Sequence, residues 1–180
     1  MKSLIGAMVT LLISTHCIAA GITPAMQAKL DATVKEVVAL ASEPILINAA
    51  KACGGAKSGD LASMTQEKWV VASVLENTVR ALTKNAAAEH IKEHRSDAMS
   101  EAFLNCADGT KAAFLAKPTN WSHKGKPKHE VPMTGKQWQG PVEVDESTGV
   151  EQVQIAVPVN DGGKPVGSLV VGVNLGKFGS

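Results

Sequence analysis

Tyrosine is absent from this 180-residue chain, and phenylalanine and tryptophan occur only three times each. A core of any size must therefore be built mainly from aliphatic side chains, and alanine and valine dominate. A charge excess is also lacking. Eighteen basic residues stand against seventeen acidic ones, and a net charge of +1 argues against a general nucleic-acid binder. There is no GxSxG elbow, no HExxH, no phosphate-cradling glycine loop and no carboxylate pair at a meaningful spacing, so no enzyme class is indicated. Neither CxxC nor CxxCH occurs, which removes a dithiol redox motif and covalent haem attachment, and no cofactor is expected. Beyond the N-terminus, no segment is apolar over the roughly 20 residues a membrane-spanning helix needs.

What is present at the N-terminus sets an expected compartment. Met1 and Lys2 make a short positive start, Leu4 to Ile13 is an apolar run, and Cys17-Ile18-Ala19-Ala20 offers small residues for cleavage. Residues 1–20 read as a signal peptide cut after Ala20. The alternatives are an uncleaved anchor, for which the run is short, and a lipoprotein acylated at Cys17, for which the bulky polar His16 is a poor neighbour. The remaining chain, Gly21 to Ser180, has the length of one domain with a real core. It is expected to be exported and soluble, periplasmic or secreted. Two cysteines remain after cleavage, Cys53 and Cys106, and an even pair in an oxidising compartment reads as a disulfide. Reactive or metal-binding thiols are the alternative.

The first half, about 24–95, has helical period. Thr23-Pro24 is a cap followed by proline, opening a face of Met26, Leu30, Val34, Val37 and Ala41. Pro44 kinks or restarts the helix, which runs on toward Ala52 and stops at Gly54-Gly55, with a loop over Lys57 to Asp60. A second helix is expected from near Thr65, with Ser63 and Gln66 spaced as a capping box, carrying Trp69, Ala72, Leu75 or Glu76, Val79 and Leu82. Trp69 reads as core. A third, Ala86 to Arg95, places His90 and His94 four residues apart with Glu93 between them. No third ligand is evident, so this is read as a solvated helical face and no metal site is assigned.

The second half, about 100–176, has the period of strands. Glu101 to Asn105 and Thr110 to Leu115 flank the turn Asp108-Gly109. Gly140 to Asp145 and Val150 to Val159 flank Ser147-Thr148-Gly149. Asp161-Gly162-Gly163 then turns the chain into Pro165 to Leu175, and the chain ends five residues later, so no effector domain is expected behind the sheet. Helices followed by strands point to an α+β fold with a five-stranded antiparallel sheet.

The final segment resembles the end of an extracytoplasmic PAS-like sensor domain of the Cache type. The residues that carry the resemblance are Thr148-Gly149, Val153-Gln154-Ile155-Ala156-Val157-Pro158-Val159, Asp161-Gly162-Gly163-Lys164, and Gly167 to Val173. The resemblance implies a single-Cache arrangement over 21–180, with N-terminal helices packed beside a five-stranded antiparallel PAS-like sheet. It also implies a small ligand held between the sheet and a loop, and pairing of two chains through the N-terminal helices. Asn174 stands where many amino-acid-binding members have aspartate in the last strand, which points away from amine recognition.

The stretch Lys117 to Gly140 has no usable periodicity. It holds five lysines, two histidines and two of the three tryptophans against one acid, Glu130. A loop this long in a compact domain is functional or disordered. Tryptophans supply rigid walls and cations supply partners for a carboxylate or phosphate. Trp121, His123, Lys126, His129 and Trp138 are therefore the candidate contacts to a small anionic or polar ligand. The other reading makes the lysines a solvated surface and the tryptophans plugs for the end of the sheet. The functional expectation is a soluble, exported, non-enzymatic small-molecule-binding module that signals or delivers through a membrane sensor or envelope protein in trans. The alternative is an envelope interaction protein without a ligand.

Overall fold

The computed structural model of the chain describes residues 21–53, 59–144 and 149–178. The leader reading (1–20), the Gly54-Gly55 helix stop and the Ser147-Thr148 turn lie outside these residues. Within them, six helices precede or interrupt five strands: α1 Pro24–Ala41, α2 Pro44–Ala52, α3 Gln66–Val71, α4 Asn77–Thr83, α5 Ala86–Glu93, β1 Met99–Cys106, β2 Lys111–Phe114, α6 Pro127–Met133, β3 Trp138–Val144, β4 Glu151–Asp161 and β5 Lys164–Asn174. The sheet is antiparallel throughout, in the order β2-β1-β5-β4-β3. This is an α+β fold with the N-terminal helices against one sheet face. No helix among the described residues is long and apolar enough to cross a membrane.

Local chemistry explains where the helices begin. Thr23 caps α1, its hydroxyl accepting from the Met26 N–H at 3.2 Å, with Pro24 at the first helical position. Pro44 opens α2 in the same way. The expected Ser63–Gln66 capping box is not formed. Thr65 caps α3 instead, accepting from the Lys68 N–H, while Ser63 belongs to a 3-10 turn over Gly59–Ser63. The single helix expected from Thr65 to Leu82 is two helices. The chain breaks at Ala72, where the Ser73 N–H donates to Glu76 Oε1 at 2.7 Å and the Leu75 N–H donates to Ser73 Oγ. Ser73-x-x-Glu76 is itself a capping-box spacing. Only the Glu76 half of such a box is made, with Ser73 Oγ taking the Leu75 N–H in place of Glu76's, and Trp69, Val79 and Leu82 stay buried on both sides of the break.

The sheet is covered on both faces. On the helical face, Leu30, Val37 and Leu40 of α1, Leu46 and Ala50 of α2 and Ile91 of α5 pack on Ala102, Leu104, Val153, Ile155, Val157, Leu169, Val171 and Val173. The opposite face holds a smaller cluster of Trp69, Val79, Leu82, Phe103, Phe114, Trp121, Ala156 and Val170. Alternation along β1, β4 and β5 thus delivers one set of residues to each face.

The approach of α2 to the sheet is unusually close. A methyl group at Gly167 would lie 2.3 Å from the Asn105 carbonyl oxygen and 2.9 Å from the Ala50 methyl. One turn beyond Ala50, Cys53 is joined to Cys106 at the end of β1, closing a separation of 53 residues. In the chain-entropy account a loop of that length stabilises by about 4 kcal/mol. Cys53→Ser should lower the unfolding temperature of the oxidised protein and make no difference in the presence of reductant. A wild-type protein whose unfolding temperature ignores reductant would contradict the bond.

Candidate functional site

The second face of the sheet changes character along its length. Near Phe103 and Phe114 it is apolar; toward the start of β1 and β4 it is lined with polar side chains. A β-bulge between Met99 and Glu101 turns Met99 to the helical core while Ser100 and Glu101 both reach the other face. There they meet Gln152 and Gln154 of β4 and Glu143 of β3, the floor of a cavity of about 850 Å³. Its walls are the segment Ala116–Asn120, His123 and Lys128 of α6. Gly172 of β5 lies beneath: a methyl there would sit 2.6 Å from Glu101 Cγ and 2.7 Å from both Gln152 Oε1 and Ser100 Oγ.

The floor is a directed chain of hydrogen bonds. Lys128 Nζ donates to Gln154 Oε1 (2.5 Å), Gln154 Nε2 donates to Glu101 Oε1 (2.5 Å), Gln152 Nε2 donates to the same oxygen (3.4 Å), and Ser100 Oγ donates to Gln152 Oε1 (2.6 Å). Burial lowers the pKa of Lys128 from its ordinary value; Glu101 and Glu143 oppose that, and Lys126 adds to it. The ammonium is therefore under-compensated by the groups around it.

A second polar chain runs beneath the cavity. Lys111, 1% exposed, donates to Asn105 Oδ1 (2.8 Å) and contacts His123 Nδ1 (2.7 Å). An ammonium only donates, so His123 Nδ1 accepts and its proton sits on Nε2. Asn105 Nδ2 donates to Ser168 Oγ (2.9 Å), Ser168 lies 2.9 Å from His129 Nδ1, and His129 Nε2 reaches the Ala107 carbonyl (3.3 Å). A carbonyl only accepts, so Nε2 of His129 also carries the proton. Both imidazoles are neutral. Burial first, then the Lys111 ammonium, pushes His123 down to about 2. Burial likewise lowers His129. His123 also stacks on Phe103, ring centroids 4.8 Å apart.

The loop wall is strapped to α3. Trp69 Nε1 donates to the Pro118 carbonyl (2.7 Å), Gln66 Nε2 donates to the Thr119 carbonyl (3.0 Å), and the Trp121 N–H donates to Gln66 Oε1 (2.8 Å). Lys117 Nζ lies 4.9 Å from the Trp69 ring centre. At its far end the loop is pinned to the β1–β2 turn, the His123 N–H donating to the Gly109 carbonyl (2.8 Å). Gly109 has φ +81°, and a methyl there would lie 2.5 Å from the Lys124 backbone nitrogen, so both conformation and space demand glycine.

The five loop residues singled out from sequence have separate positions. His123 lines the cavity. His129 is buried under it, committed to Ser168 and Ala107. Trp121 packs on Trp69 at 5.1 Å within the second core cluster and is absent from the cavity lining. Trp138 is half-buried on β3 opposite Ala156, its ring over Gly140, also off the cavity wall. Lys126 is exposed at the start of α6. The long stretch without periodicity contains α6, which Pro127 at the first helical position signals and Pro132 inside the helix disguises. Sequence reasoning missed Ser100, Glu101, Lys128, Glu143, Gln152, Gln154 and Gly172. Gln152 and Gln154, two apart in an otherwise apolar strand, were the available sign of a polar patch on one face.

No protein-family model and no curated protein sequence matches the chain. Its fold is similar to solved sensor domains. One is the ligand-binding domain of the Pseudomonas aeruginosa amino acid chemoreceptor PctC in complex with GABA (15% identity, TM-score 0.46, 85% of this chain and 56% of that one). Another is the sensor domain of the V. cholerae histidine kinase DctB (16%, 0.42, 84% and 58%). A third is the sensory domain of the Campylobacter jejuni chemoreceptor Tlp3 with isoleucine bound (14%, 0.44, 88% and 66%). The chain spans about three fifths of the length of the domains it matches.

The neutral histidines have a pH consequence. Unfolded, an imidazole titrates near 6.5, whereas folded His123 stays neutral to about 2. Below pH 6.5 the unfolded chain takes up a proton that the folded one refuses. Stability is then lost as pH falls from 6.5 toward 2, by up to about 1.4 kcal/mol per pH unit for such a group. His123→Gln keeps an acceptor for Lys111 but cannot titrate. Denaturant unfolding between pH 7 and 4 should show a shallower pH slope for the variant; parallel slopes would reject the neutral assignment.

Proposed function

We propose that the chain is a non-enzymatic, small-molecule-binding, sensor-like domain whose ligand carries an anionic group at one end and a donor-rich or cationic group at the other. One observation carries this reading: a cavity of about 850 Å³ is lined by Lys117 and Lys128 as well as by Glu101 and Glu143, so that opposite charges face one small space. The volume falls within the range of small-ligand pockets. A carboxylate placed against Lys128 would supply the compensation its burial withholds. Asn174 is occupied by the Gly176 N–H. Glu101 and Glu143, on other strands, offer the carboxylates for an amine that the last strand does not. His123 contributes Nε2–H as a neutral donor, and an imidazole neutral down to about pH 2 is a poor acid–base catalyst at neutral pH. Exported after loss of residues 1–20, such a module would act through a membrane sensor or envelope protein in trans.

A thermal-shift screen of zwitterionic amino acids, simple carboxylates, amines and purines tests this. A zwitterion should raise the unfolding temperature more than either half-molecule, because a ligand bound only to the folded state stabilises it by mass action. Lys128→Met and Glu101→Gln should each weaken binding by about tenfold or more, the worth of one charge-assisted hydrogen bond. Gly172→Ala should also weaken it by displacing Glu101, Gln152 and Ser100. Charge variants that bind like the wild type would reject the proposed polarity.

A second reading, an envelope interaction protein, is favoured by Val70, Val71, Val74 and Leu75, which are exposed together around the α3–α4 break. If no ligand class shifts unfolding, while Leu75→Asp abolishes capture of a membrane or envelope protein and leaves stability unchanged, that reading stands in place of the first.

A further inference from the structure

At the end of α2 remote from the disulfide, three side chains from two segments converge. Glu43 precedes Pro44 at the helix N-cap, yet its carboxylate makes no capping bond to α2. It turns instead to α5. Glu43 Oε2 lies 2.6 Å from His90 Nε2, and Glu43 Oε1 lies 3.8 Å from His94 Nε2. His90 is largely buried, and its ring centre is 4.4 Å from that of His94, one helical turn on. One donor atom from each of the three residues lies within 4.8 Å of the others. The third ligand that the local sequence did not show is thus Glu43, 47 residues away.

The hydrogen bonding presets the ligand atoms. His94 Nδ1 is 2.9 Å from the His90 carbonyl. That oxygen only accepts, so the proton is on Nδ1 and the lone pair is on Nε2, pointing toward Glu43. A backbone carbonyl holding the far nitrogen of a histidine is the usual support of a metal ligand. The donor separations, 2.6 Å for Glu43–His90 and 3.8 Å for Glu43–His94, bracket the roughly 3.3 Å expected between ligands on a tetrahedral ion with bonds of about 2.0–2.1 Å. His94 and Glu43 are part-exposed, which leaves their side chains room to adjust.

We propose that Glu43, His90 and His94 form a three-ligand site for a divalent late first-row transition metal ion, with Zn²⁺ as the reference ion. Two imidazoles and one carboxylate suit Zn²⁺, Co²⁺, Ni²⁺ or Cu²⁺ and suit Mg²⁺ and Ca²⁺ poorly. On binding, the metal takes the place of the proton between His90 Nε2 and Glu43. A doubly protonated ring releases that proton to solvent and keeps the one on Nδ1; a neutral ring carries its single proton on Nδ1 instead, 3.9 Å from Glu93 Oε2, with no net release. Three protein ligands leave one position for water. The ion would fasten the first turn of α2 to the end of α5, so that α2 is held at both ends, by a chelate at Glu43 and by the disulfide at Cys53. His94 also lines a mostly apolar cavity of about 210 Å³ between α1 and the sheet, so a metal that fixes its ring would fix one wall of that space.

Tag-free protein stripped with EDTA should be titrated with Zn²⁺ by calorimetry and thermal unfolding, and with Co²⁺ by visible absorption. One equivalent of Zn²⁺ should bind and raise the unfolding temperature, Co²⁺ should develop the bands of a four-coordinate site, and Mg²⁺ should do neither. His94→Ala should weaken Zn²⁺ binding by at least about 100-fold without changing metal-free stability, and Glu43→Gln should weaken it too. Glu89→Gln, on the same helix, should bind as the wild type does. Unchanged affinity in His94→Ala, equal effects of Mg²⁺ and Zn²⁺, or no binding at millimolar Zn²⁺ would each overturn the site and leave a Glu43–His90 hydrogen bond alone.

Discussion

An ammonium group cannot leave water without acceptors to replace it, and Lys111 has left water almost completely. Its bonds to Asn105 and His123 fix the side chains around it. The donor-only chemistry of lysine sets the tautomer of His123, and the oxygen that Asn105 gives to Lys111 turns its amide nitrogen to Ser168. Ser168 in turn meets His129 on α6. One buried charge thereby ties β1, β2, β5, α6 and the loop into a single arrangement. Removing either acceptor would leave a cation in the interior with less of its lost solvation replaced, a larger cost than the loss of one exposed contact.

That arrangement divides the work of the sheet. The helical face is apolar and interlocked, with α2 so close at Gly167 that no side chain fits between. The other face is half apolar, where Trp69, Phe114 and Trp121 meet edge to face or tilted, and half polar, where the cavity opens. Trp69 belongs to both halves. Its ring is core, and its indole N–H holds Pro118 in the cavity wall. The wall is thereby tied to the core under it.

The elements with a one-dimensional signature were legible in the sequence. Thr23-Pro24 and Pro44 start helices where proline chemistry says they should, and the apolar runs of β4 and β5 on either side of Asp161-Gly162-Gly163 mark two strands. The α+β order followed from those periods, and the paired cysteines are joined. The α3–α4 break was not legible from hydrophobic spacing because Trp69, Ala72, Val79 and Leu82 fit one face whether or not the helix is continuous. The polar spacing of Ser73 and Glu76 decided it. The candidate site was legible only in its position. A composition rich in lysine, histidine and tryptophan drew attention to a loop that walls the cavity, but burial sorts its members. Trp121 is consumed by the core and His129 by the network, while Lys128 faces the cavity from a helix that Pro132 concealed. Glu101 and Gln152 reach the site through a bulge and a strand register, which no local pattern encodes. Glu43 and His90 meet across 47 residues for the same reason.

The strand order has a bearing on when this protein can exist as a folded object. β5 is central in the sheet and is the last of the five strands to be synthesised. β1 and β2 lie on one side of it, β3 and β4 on the other, and the two pairs meet only through it. Until β5 has been made there are two separate two-stranded pieces, and an isolated hairpin is marginal in water. A growing chain therefore has no five-stranded sheet for its helices to pack on until β5 has been made.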